Sequence, residues 1–311
     1  MTEPGASVER ARSDKDNGGP VLPAAVRGTG YPPDMRAHGL ETATDRSPMH
    51  TRARLALAVL FAALACEKPP VEWTSRHVVA ISSVPATIDA DGRVRTDSLL
   101  LLAARLHPPT PACVGSLGLS RSAGTLHAAW WSVRPDSGAR LLAAHSEDDG
   151  AHWSAAVAVD TTDRGVSGCH REPPSIAADP RSGYVHVSYG LVAPEGPGVF
   201  FAHSMDGGDT FHSPVAIVYG EHPGRTSVAA DGDVVAVAFE QPDESVPRVG
   251  LALSRTMGHI FEQRLLPVSD GNGMANRPLV SVHGRRIAVG WEQRAADTAR
   301  TVLVVRAGTL R

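Results

Sequence analysis

From about Leu117 to the C-terminus, short apolar runs alternate with polar loops in four units of one plan. Each unit contains a run that follows a glycine and ends in an aromatic residue; these runs are 125–131, 184–189, 234–239 and 286–291. The glycines that precede them are Gly124, Gly183, Gly232 and Gly284. A third predicted strand follows in each unit, at 140–144, 198–202, 249–253 and 301–305. Short strands that recur about every fifty residues predict an all-β fold built from repeated four-stranded sheets.

An eight-residue pattern, S-x-D-x-G-x-x-aromatic, follows the third predicted strand of the first two units, and a third copy has Thr256 in the acidic position. Glycine supplies the positive φ of a tight hairpin, and the aspartate can accept hydrogen bonds from the N–H groups of the turn. We therefore interpret these segments, called the octapeptide turns below, as structural. Their recurring positions are Ser146, Asp148, Gly150 and Trp153, then Ser204, Asp206, Gly208 and Phe211, then Ser254, Gly258 and Phe261.

The octapeptide turns resemble the Asp-box, or BNR repeat, of the sialidase-like β-propellers. The resemblance implies four-stranded blades, with the box on the hairpin between the third and fourth strands and the ligand face on the opposite side. Residues 72–311 would then form the propeller. Five blades fit this length best, with 72–110 as a degenerate blade, and four or six stay open. Because a propeller must close its ring to hide its sheet edges, we expect a strand within 76–81 to complete the fourth unit.

The N-terminal part has a different composition. Residues 1–48 are polar and rich in Gly, Pro, Arg and Asp, which predicts disorder or a mis-assigned start, with Met49 as a second possible start. Residues 49–66 have two arginines followed by a short apolar run, as in a bacterial secretory signal. The run is shorter than the roughly 20 residues that span a bilayer.

The end of this signal, 63–66, resembles a lipoprotein lipobox and predicts lipidation of Cys66, with 67–71 as a tether. A plain secretory signal and a chance apolar patch are the alternatives. The resemblance implies an exported protein, which is either anchored in the bacterial cell envelope by a lipid or located in the periplasm or outside the cell.

Three loops that precede a first strand each carry an arginine: Arg171, Arg225 and Arg277. Three converging guanidiniums would bind a carboxylate through paired N–H groups. Sialidases hold the carboxylate of sialic acid with an arginine triad, and the segment 171–173 resembles the R-x-P context of that family. The alternative is that the arginines are solvated or paired with loop carboxylates, for which the candidates are Glu172, Glu221 and Asp270.

Glu240 and Glu292 each follow an aromatic residue at the end of a second strand. They could bind sugar hydroxyls or act as acid or base, or they could cap the strand ends and pair with Arg248 or Arg294. Asp136 and Asp163 are candidates for a general acid by position alone. Retaining sialidases use a late tyrosine as nucleophile, but the last tyrosine here is Tyr219 in mid-chain. The catalytic residues therefore stay unknown, and we expect a module that binds a glycan or a protein, with an exo-sialidase-type hydrolase as the alternative.

Cys113 and Cys169 precede the first strands of adjacent units, which predicts a disulfide in an exported protein; two separate thiols are the alternative. The sequence has no HExxH, CxxC or P-loop motif, so we expect no metal and no cofactor. A net charge of -3 without a basic block argues against nucleic acid as a partner. The expected partners are a glycan or protein on the propeller face and the membrane through a lipid anchor only, and the chain is expected to be a monomer.

Overall fold

The computed structural model describes residues 68–79, 86–96, 113–135, 138–271, 273–294 and 300–311. The predictions for the N-terminal segment, the signal, Cys66 and Asp136 lie outside these residues. The described part is all-β apart from one 3-10 turn at Val114–Ser116. Within it, no helix has the length and apolar character needed to cross a membrane.

The first four strands among the described residues have three residues each: β1 (Val71–Trp73), β2 (His77–Val79), β3 (Ala86–Ile88) and β4 (Val94–Thr96). Sheet 1 follows, with β5 (Gly118–Ser122), β6 (Thr125–Val133), β7 (Ala139–Ser146) and β8 (Val157–Asp160). Sheet 2 contains β9 (Ser175–Ala178), β10 (Val185–Ala193), β11 (Gly196–Ser204) and β12 (Val215–Tyr219). Sheet 3 contains β13 (Thr226–Asp231), β14 (Val234–Glu240), β15 (Val249–Ser254) and β16 (Gln263–Pro267). Sheet 4 contains β17 (Met274–His283), β18 (Arg286–Arg294) and β19 (Thr301–Leu310).

Each sheet is antiparallel and follows the chain order, so the second and third strands predicted from the sequence are confirmed in all four units. The glycine turns between first and second strands are also present. Gly124, Gly183, Gly232 and Gly284 all have a positive φ, which is the conformation that these tight turns require.

Sheet 4 is completed by the two N-terminal strands. β2 pairs antiparallel with β19, with Val78 opposite Val304, which confirms the prediction of a strand within 76–81. β1 also pairs with β19, with Val71 opposite Leu310; this strand was not predicted. β3 and β4 form a separate two-stranded sheet, and Ile88 packs against Ala288 and Val305 of sheet 4.

Neighbouring sheets meet along their first strands, and serine side chains connect these strands. Ser120 Oγ accepts a hydrogen bond from the backbone N–H of Ala178 at 3.0 Å. Ser175 does the same for Val228, and Ser227 for Val280, each at 3.0 Å. First strands have a free edge, so their N–H groups need acceptors from outside the sheet. The serines supply these acceptors from one sheet to the next.

Two aspartates repeat this connection at the ends of the first strands. Asp179 Oδ1 accepts a hydrogen bond from the N–H of Gly232 at 3.1 Å, and Asp231 Oδ2 accepts one from Gly284 at 2.5 Å. In both cases the donor is the turn glycine of the following sheet. Serine and aspartate side chains thus connect β9 to β13 and β13 to β17 near both ends of the strand that carries them, and Ser120 connects β5 to β9.

Apolar residues fill the space between adjacent sheets, which pack face to face. Trp131 of sheet 1 meets Tyr189 of sheet 2 edge-on, with ring centroids 5.9 Å apart. Phe201 of sheet 2 and Phe239 of sheet 3 belong to one buried cluster. Leu251 of sheet 3 and Trp291 of sheet 4 belong to the next. Successive four-stranded sheets that meet along their first strands and bury both faces form an arrangement of the propeller type.

The octapeptide turns join the third and fourth strands of sheets 1, 2 and 3. In sheet 2, Ser204 Oγ accepts a hydrogen bond from the N–H of Gly208 at 2.8 Å and donates to Asp206 at 2.7 Å. Asp206 in turn accepts from the N–H of Thr210 at 2.9 Å. The turn of sheet 1 has the same set of bonds through Ser146 and Asp148.

The octapeptide turn of sheet 3 has the same hydrogen-bond pattern, although Thr256 takes the place of the aspartate. Thr256 Oγ1 accepts a hydrogen bond from the N–H of Ile260 at 2.9 Å, in the place of the aspartate carboxylate. Gly258 is indispensable here, because a Cβ on it would lie 2.6 Å from the ring of Phe201 in sheet 2. The closing aromatic, Phe261, packs against this same ring at a centroid distance of 4.9 Å. The turn therefore also attaches sheet 3 to sheet 2.

The hydrogen bonds of these turns favour the ionised aspartates. The N–H and ring of His152, followed by the hydroxyl of Ser146, lower the pKa of Asp148 to about 2. The hydroxyls of Ser204 and Thr210 lower the pKa of Asp206 to about 2. Because both pKa values lie below those of the unfolded chain, each carboxylate stabilises the fold above about pH 4. This contribution is lost as the pH falls towards 2.

A disulfide links Cys113 and Cys169, with Cα atoms 5.2 Å apart. Cys113 precedes sheet 1 and Cys169 lies in the loop before sheet 2. The bond therefore connects two adjacent sheets and closes a loop that contains all of sheet 1.

Replacing Ser204 by alanine should lower the free energy of unfolding by about 1–3 kcal/mol, because the buried N–H of Gly208 loses its acceptor. Urea unfolding monitored by tryptophan fluorescence measures this loss. The control is Ser213→Ala, which changes an exposed serine just after the same turn and should change stability by less than about 0.5 kcal/mol. Equal effects of the two substitutions would contradict the role assigned to Ser204.

Removing the disulfide by the double change Cys113→Ser and Cys169→Ser should cost about 2–4 kcal/mol, because the unfolded chain gains the freedom of an open loop. Denaturant unfolding of the native chain with and without a reducing agent gives the comparison. The reductant should bring the native chain to the stability of the double variant and leave the double variant unchanged.

Candidate functional site

A pocket of about 320 Å³ lies where the first strands of the four sheets converge. Its walls are 117–119 of sheet 1, 173–176 before and within β9, 225–227 at the start of β13, and 277–279 within β17. Each segment lies at or near the start of a first strand, so the pocket opens at the end of the sheets opposite the octapeptide turns. We call it the central pocket. Leucine, isoleucine and proline side chains form most of its wall.

Two of the three arginines singled out in the sequence, Arg225 and Arg277, line this pocket. Arg225 Nε lies 2.5 Å from a carboxylate oxygen of Glu172. Arg277 Nη1 lies 3.5 Å from a carboxylate oxygen of Glu292. Both pairs are partly exposed, so each contributes little to stability. A guanidinium has five N–H donors, and each arginine therefore keeps donors for a ligand while its glutamate orients it.

Glu240 holds the backbone of both arginines. Its Oε1 accepts a hydrogen bond from the N–H of Arg277 at 2.8 Å, and its Oε2 accepts one from the N–H of Arg225 at 3.3 Å. Gly224 leaves room for this carboxylate, because a Cβ at that position would collide with Glu240. The end of β14, which is partly buried, thus sets the position of Arg225 just before β13 and of Arg277 within β17.

The prediction that Arg277 lies in a loop before a first strand is wrong. Arg277 lies within β17, where the pairing with β18 is interrupted between Asn276 and Leu279. Its φ is 50°, a value that non-glycine residues rarely adopt. The bulge and the hydrogen bond from its N–H to Glu240 together maintain this conformation. As a result, the side chain points away from the regular ladder and into the pocket wall.

Arg171 lies apart from the other two arginines. Its side chain is 7% exposed and forms an ion pair with Asp163, which is 3% exposed; Nε lies 2.8 Å from Oδ2. It also donates to the carbonyl oxygens of Gly165 and Gly168. Residues 163–171 are therefore folded around this guanidinium. The structure brings two members of the proposed triad to the central pocket and uses the third to shape a loop.

The ion pair also accounts for Asp163, which the sequence suggested as a general acid. Besides binding Arg171, its carboxylate accepts hydrogen bonds from the N–H groups of Gly165 at 3.0 Å and Ala139 at 3.2 Å. Asp163 thus stabilises the loop instead of facing the pocket.

None of the tyrosines among the described residues lines the central pocket. Tyr189 is fully buried and donates to Asp160 at 2.7 Å. Burial, and then the charge of Asp160, raise the pKa of its hydroxyl well above the usual value. Tyr219 is exposed on the outer strand β12, and Tyr184 lies at the end of sheet 2 that carries the octapeptide turns. The three tyrosines that the structure describes therefore all lie away from the central pocket.

Glu172 lies next to Pro173 of the pocket wall, in the loop before sheet 2. The sequence indicated it as a partner for a loop arginine, and in the structure it pairs with Arg225 of the next such loop. Its backbone is fixed by the indole N–H of Trp131, which donates to its carbonyl oxygen at 2.9 Å. The combination of a charged pair followed by Pro173 and Pro174 is the sequence signal that marks this wall of the pocket.

The chain was compared with known proteins. No protein-family model and no curated protein matches it. Among solved structures it resembles a protein of unknown function from Dyadobacter fermentans (13% identity, 60% of this chain and 51% of that one, TM-score 0.46). It also resembles a Hadza microbial sialidase (18%, 61% and 43%, TM-score 0.43) and a Trypanosoma rangeli sialidase (12%, 75% and 40%, TM-score 0.42). The chain thus spans about half or less of each of these structures, and alignments this partial assign it neither a function nor a site.

Replacing Glu240 by alanine should lower the free energy of unfolding by about 1–3 kcal/mol, because two backbone N–H groups lose a charged acceptor. Hydrogen exchange should accelerate at the amides of Arg225 and Arg277 in particular. Glu244→Ala is the matched control, since Glu244 is an exposed glutamate in the following turn. Unchanged exchange at both amides in Glu240→Ala would show that the carboxylate does not hold these strands.

Proposed function

We propose that the chain is a binding module that holds a glycan in the central pocket and does not hydrolyse it. The observation that carries this proposal is the pairing of two arginine donors with glutamate acceptors at one small pocket, through Arg225 with Glu172 and Arg277 with Glu292. Sugar hydroxyls both donate and accept hydrogen bonds, so they are suited to a rim of alternating donors and acceptors. A pocket of about 320 Å³ is at the lower end of small-molecule sites and fits a terminal sugar unit.

Glu240 has a positioning role in this proposal. Its carboxylate is occupied by the N–H groups of Arg225 and Arg277, so it orders the donors without contacting the ligand. Glu292 lies 3.5 Å from the guanidinium of Arg277 and orients it. The role that the sequence suggested for Arg171, direct contact with a carboxylate, is better assigned to loop structure, since Asp163 already occupies its guanidinium.

Hydrolysis of sialosides is the alternative function. It would need a nucleophile and a set of free cationic groups for the sialic acid carboxylate. The described residues that line the pocket include no tyrosine, and Arg171, the third member of the predicted triad, is buried against Asp163 in a separate loop. These observations favour binding over catalysis.

The wider architecture that we propose follows the resemblance noted in the sequence. The octapeptide turns are Asp-boxes of a five-bladed, sialidase-like propeller, and the β3–β4 hairpin belongs to the degenerate blade. The chain is exported through the signal at 49–66, anchored by a lipid on Cys66 and monomeric. A disulfide between Cys113 and Cys169 is consistent with an oxidising compartment.

The test is a glycan array with sialylated, uronic acid-containing and neutral glycans. The affinity of each glycan that binds on the array is then measured by calorimetry. The double variant Arg225→Ala, Arg277→Ala should bind about 10–100-fold more weakly, because hydrogen bonds from charged groups contribute about 1.5–3 kcal/mol. Arg264→Ala, an exposed arginine on the outer strand of sheet 3, serves as the control and should bind normally.

Three results would contradict the proposal. Absence of binding to any glycan, or equal affinity of the double variant and the native chain, would exclude a glycan site in this pocket. If the native chain releases the fluorophore from a fluorogenic sialoside and Arg277→Ala does not, the function of the pocket is hydrolysis and not binding alone.

A further inference from the structure

Four histidines gather at the end of sheet 2 opposite the central pocket. His186 in β10 lies directly across from His203 in β11. His212 follows the octapeptide turn of sheet 2, and His259 lies within the octapeptide turn of sheet 3. The cluster therefore bridges two neighbouring sheets.

The two strand histidines are buried without hydrogen bonds to their rings. His186 is fully buried, and neither Nδ1 nor Nε2 has a partner. His203 is 7% exposed, and its Nε2 is likewise buried and without a partner. Buried polar atoms are nearly always hydrogen-bonded, and an exception indicates a role such as binding a water molecule or an ion.

The rings of His203, His212 and His259 are spaced like ligands around one ion. The ring centroid of His203 lies 4.7 Å from that of His212 and 4.6 Å from that of His259, and these last two are 6.4 Å apart. With metal–nitrogen bonds of about 2.0–2.1 Å, imidazole centroids around one tetrahedral ion are separated by roughly 5 Å. The observed distances bracket this value.

We propose that His203, His212 and His259 bind a divalent transition-metal ion of the Zn²⁺ or Cu²⁺ class. As arranged in the structure, no group of three His, Cys, Asp or Glu side chains among the described residues could hold a metal ion, and the ring of His212 stacks on that of His203. Binding therefore requires rotation of His212 and His259. Both are exposed and lie in or beside turns, so their rings can rotate towards the buried nitrogen of His203.

The surroundings favour a soft or borderline ion over calcium or magnesium. The donor atoms are imidazole nitrogens, which suit zinc, copper and nickel, whereas calcium and magnesium prefer carboxylate and carbonyl oxygens. Tyr184 stacks parallel to His203 at a centroid distance of 6.1 Å and limits the movement of this ring.

This site departs from the expectation of no metal, which rested on the absence of a local ligand motif. It is also independent of the glycan proposal, because the two sites lie at opposite ends of the sheets and share no residue. A negative result for the metal site therefore does not affect the glycan proposal, and a negative result for the glycan site does not affect the metal proposal.

The experiment is calorimetric titration of the full chain, oxidised and without a polyhistidine tag, with ZnCl₂ and with CuCl₂. The native chain should bind one ion through this cluster. His212→Ala and His259→Ala should each weaken binding by at least about tenfold, and the double variant should lose it. His222→Ala, an exposed histidine outside the cluster, is the matched control and should bind like the native chain.

Electron paramagnetic resonance of the Cu²⁺ form gives a second measurement that needs no variant: hyperfine coupling to three nitrogens is expected. The proposal is overturned if the native chain binds neither ion, if the cluster variants bind as tightly as the native chain, or if His222→Ala causes the same loss. A copper spectrum with fewer than two nitrogen ligands would also exclude the site.

Discussion

The fold depends on how the free edges of its first strands are satisfied. A first strand has a sheet partner on one side only, and in this protein its other edge faces the first strand of the neighbouring sheet. Serines at one position, Ser120, Ser175 and Ser227, accept hydrogen bonds across this gap. Aspartates at the ends of two strands, Asp179 and Asp231, bind the turn glycine of the next sheet. Without these acceptors the N–H groups would be buried unpaired, and the sheets could not approach closely enough to share a core.

The central pocket is a consequence of this approach. Because the first strands converge, residues just before or within them face one another across a short distance, although they are far apart in the sequence. Arg225, Arg277 and the carboxylate of Glu240 meet there for this reason. At the other end of the same strands, the octapeptide turns of adjacent sheets come together, and the histidine cluster results. Both candidate sites are thus products of contacts between sheets and not of any one sheet.

Much of the fold could be predicted from the sequence, because strand pattern and turn glycines are local signals. The second and third strands of all four sheets, the glycine turns and the N-terminal strand that completes sheet 4 follow from such signals. The candidate site was harder to predict from the sequence. Nothing local indicates that Arg171 pairs with Asp163 whereas Arg225 pairs with Glu172, since this choice depends on which loops become neighbours. The positive φ of Arg277 depends on a bulge and on Glu240, which is distant in the sequence. The position of Arg277 within a strand could therefore not be predicted either.

The closure of sheet 4 has a consequence for biosynthesis. The strands at 71–79 can pair only with Thr301–Leu310, which the ribosome completes more than two hundred residues later. Until then the N-terminal strands and the growing stack of sheets present open edges, which are prone to wrong pairing. Sheet 4 therefore cannot be completed before the C-terminal strand has been synthesised. Of the four sheets it is the last to acquire all its strands, and the order of synthesis sets the order in which sheet edges can be closed.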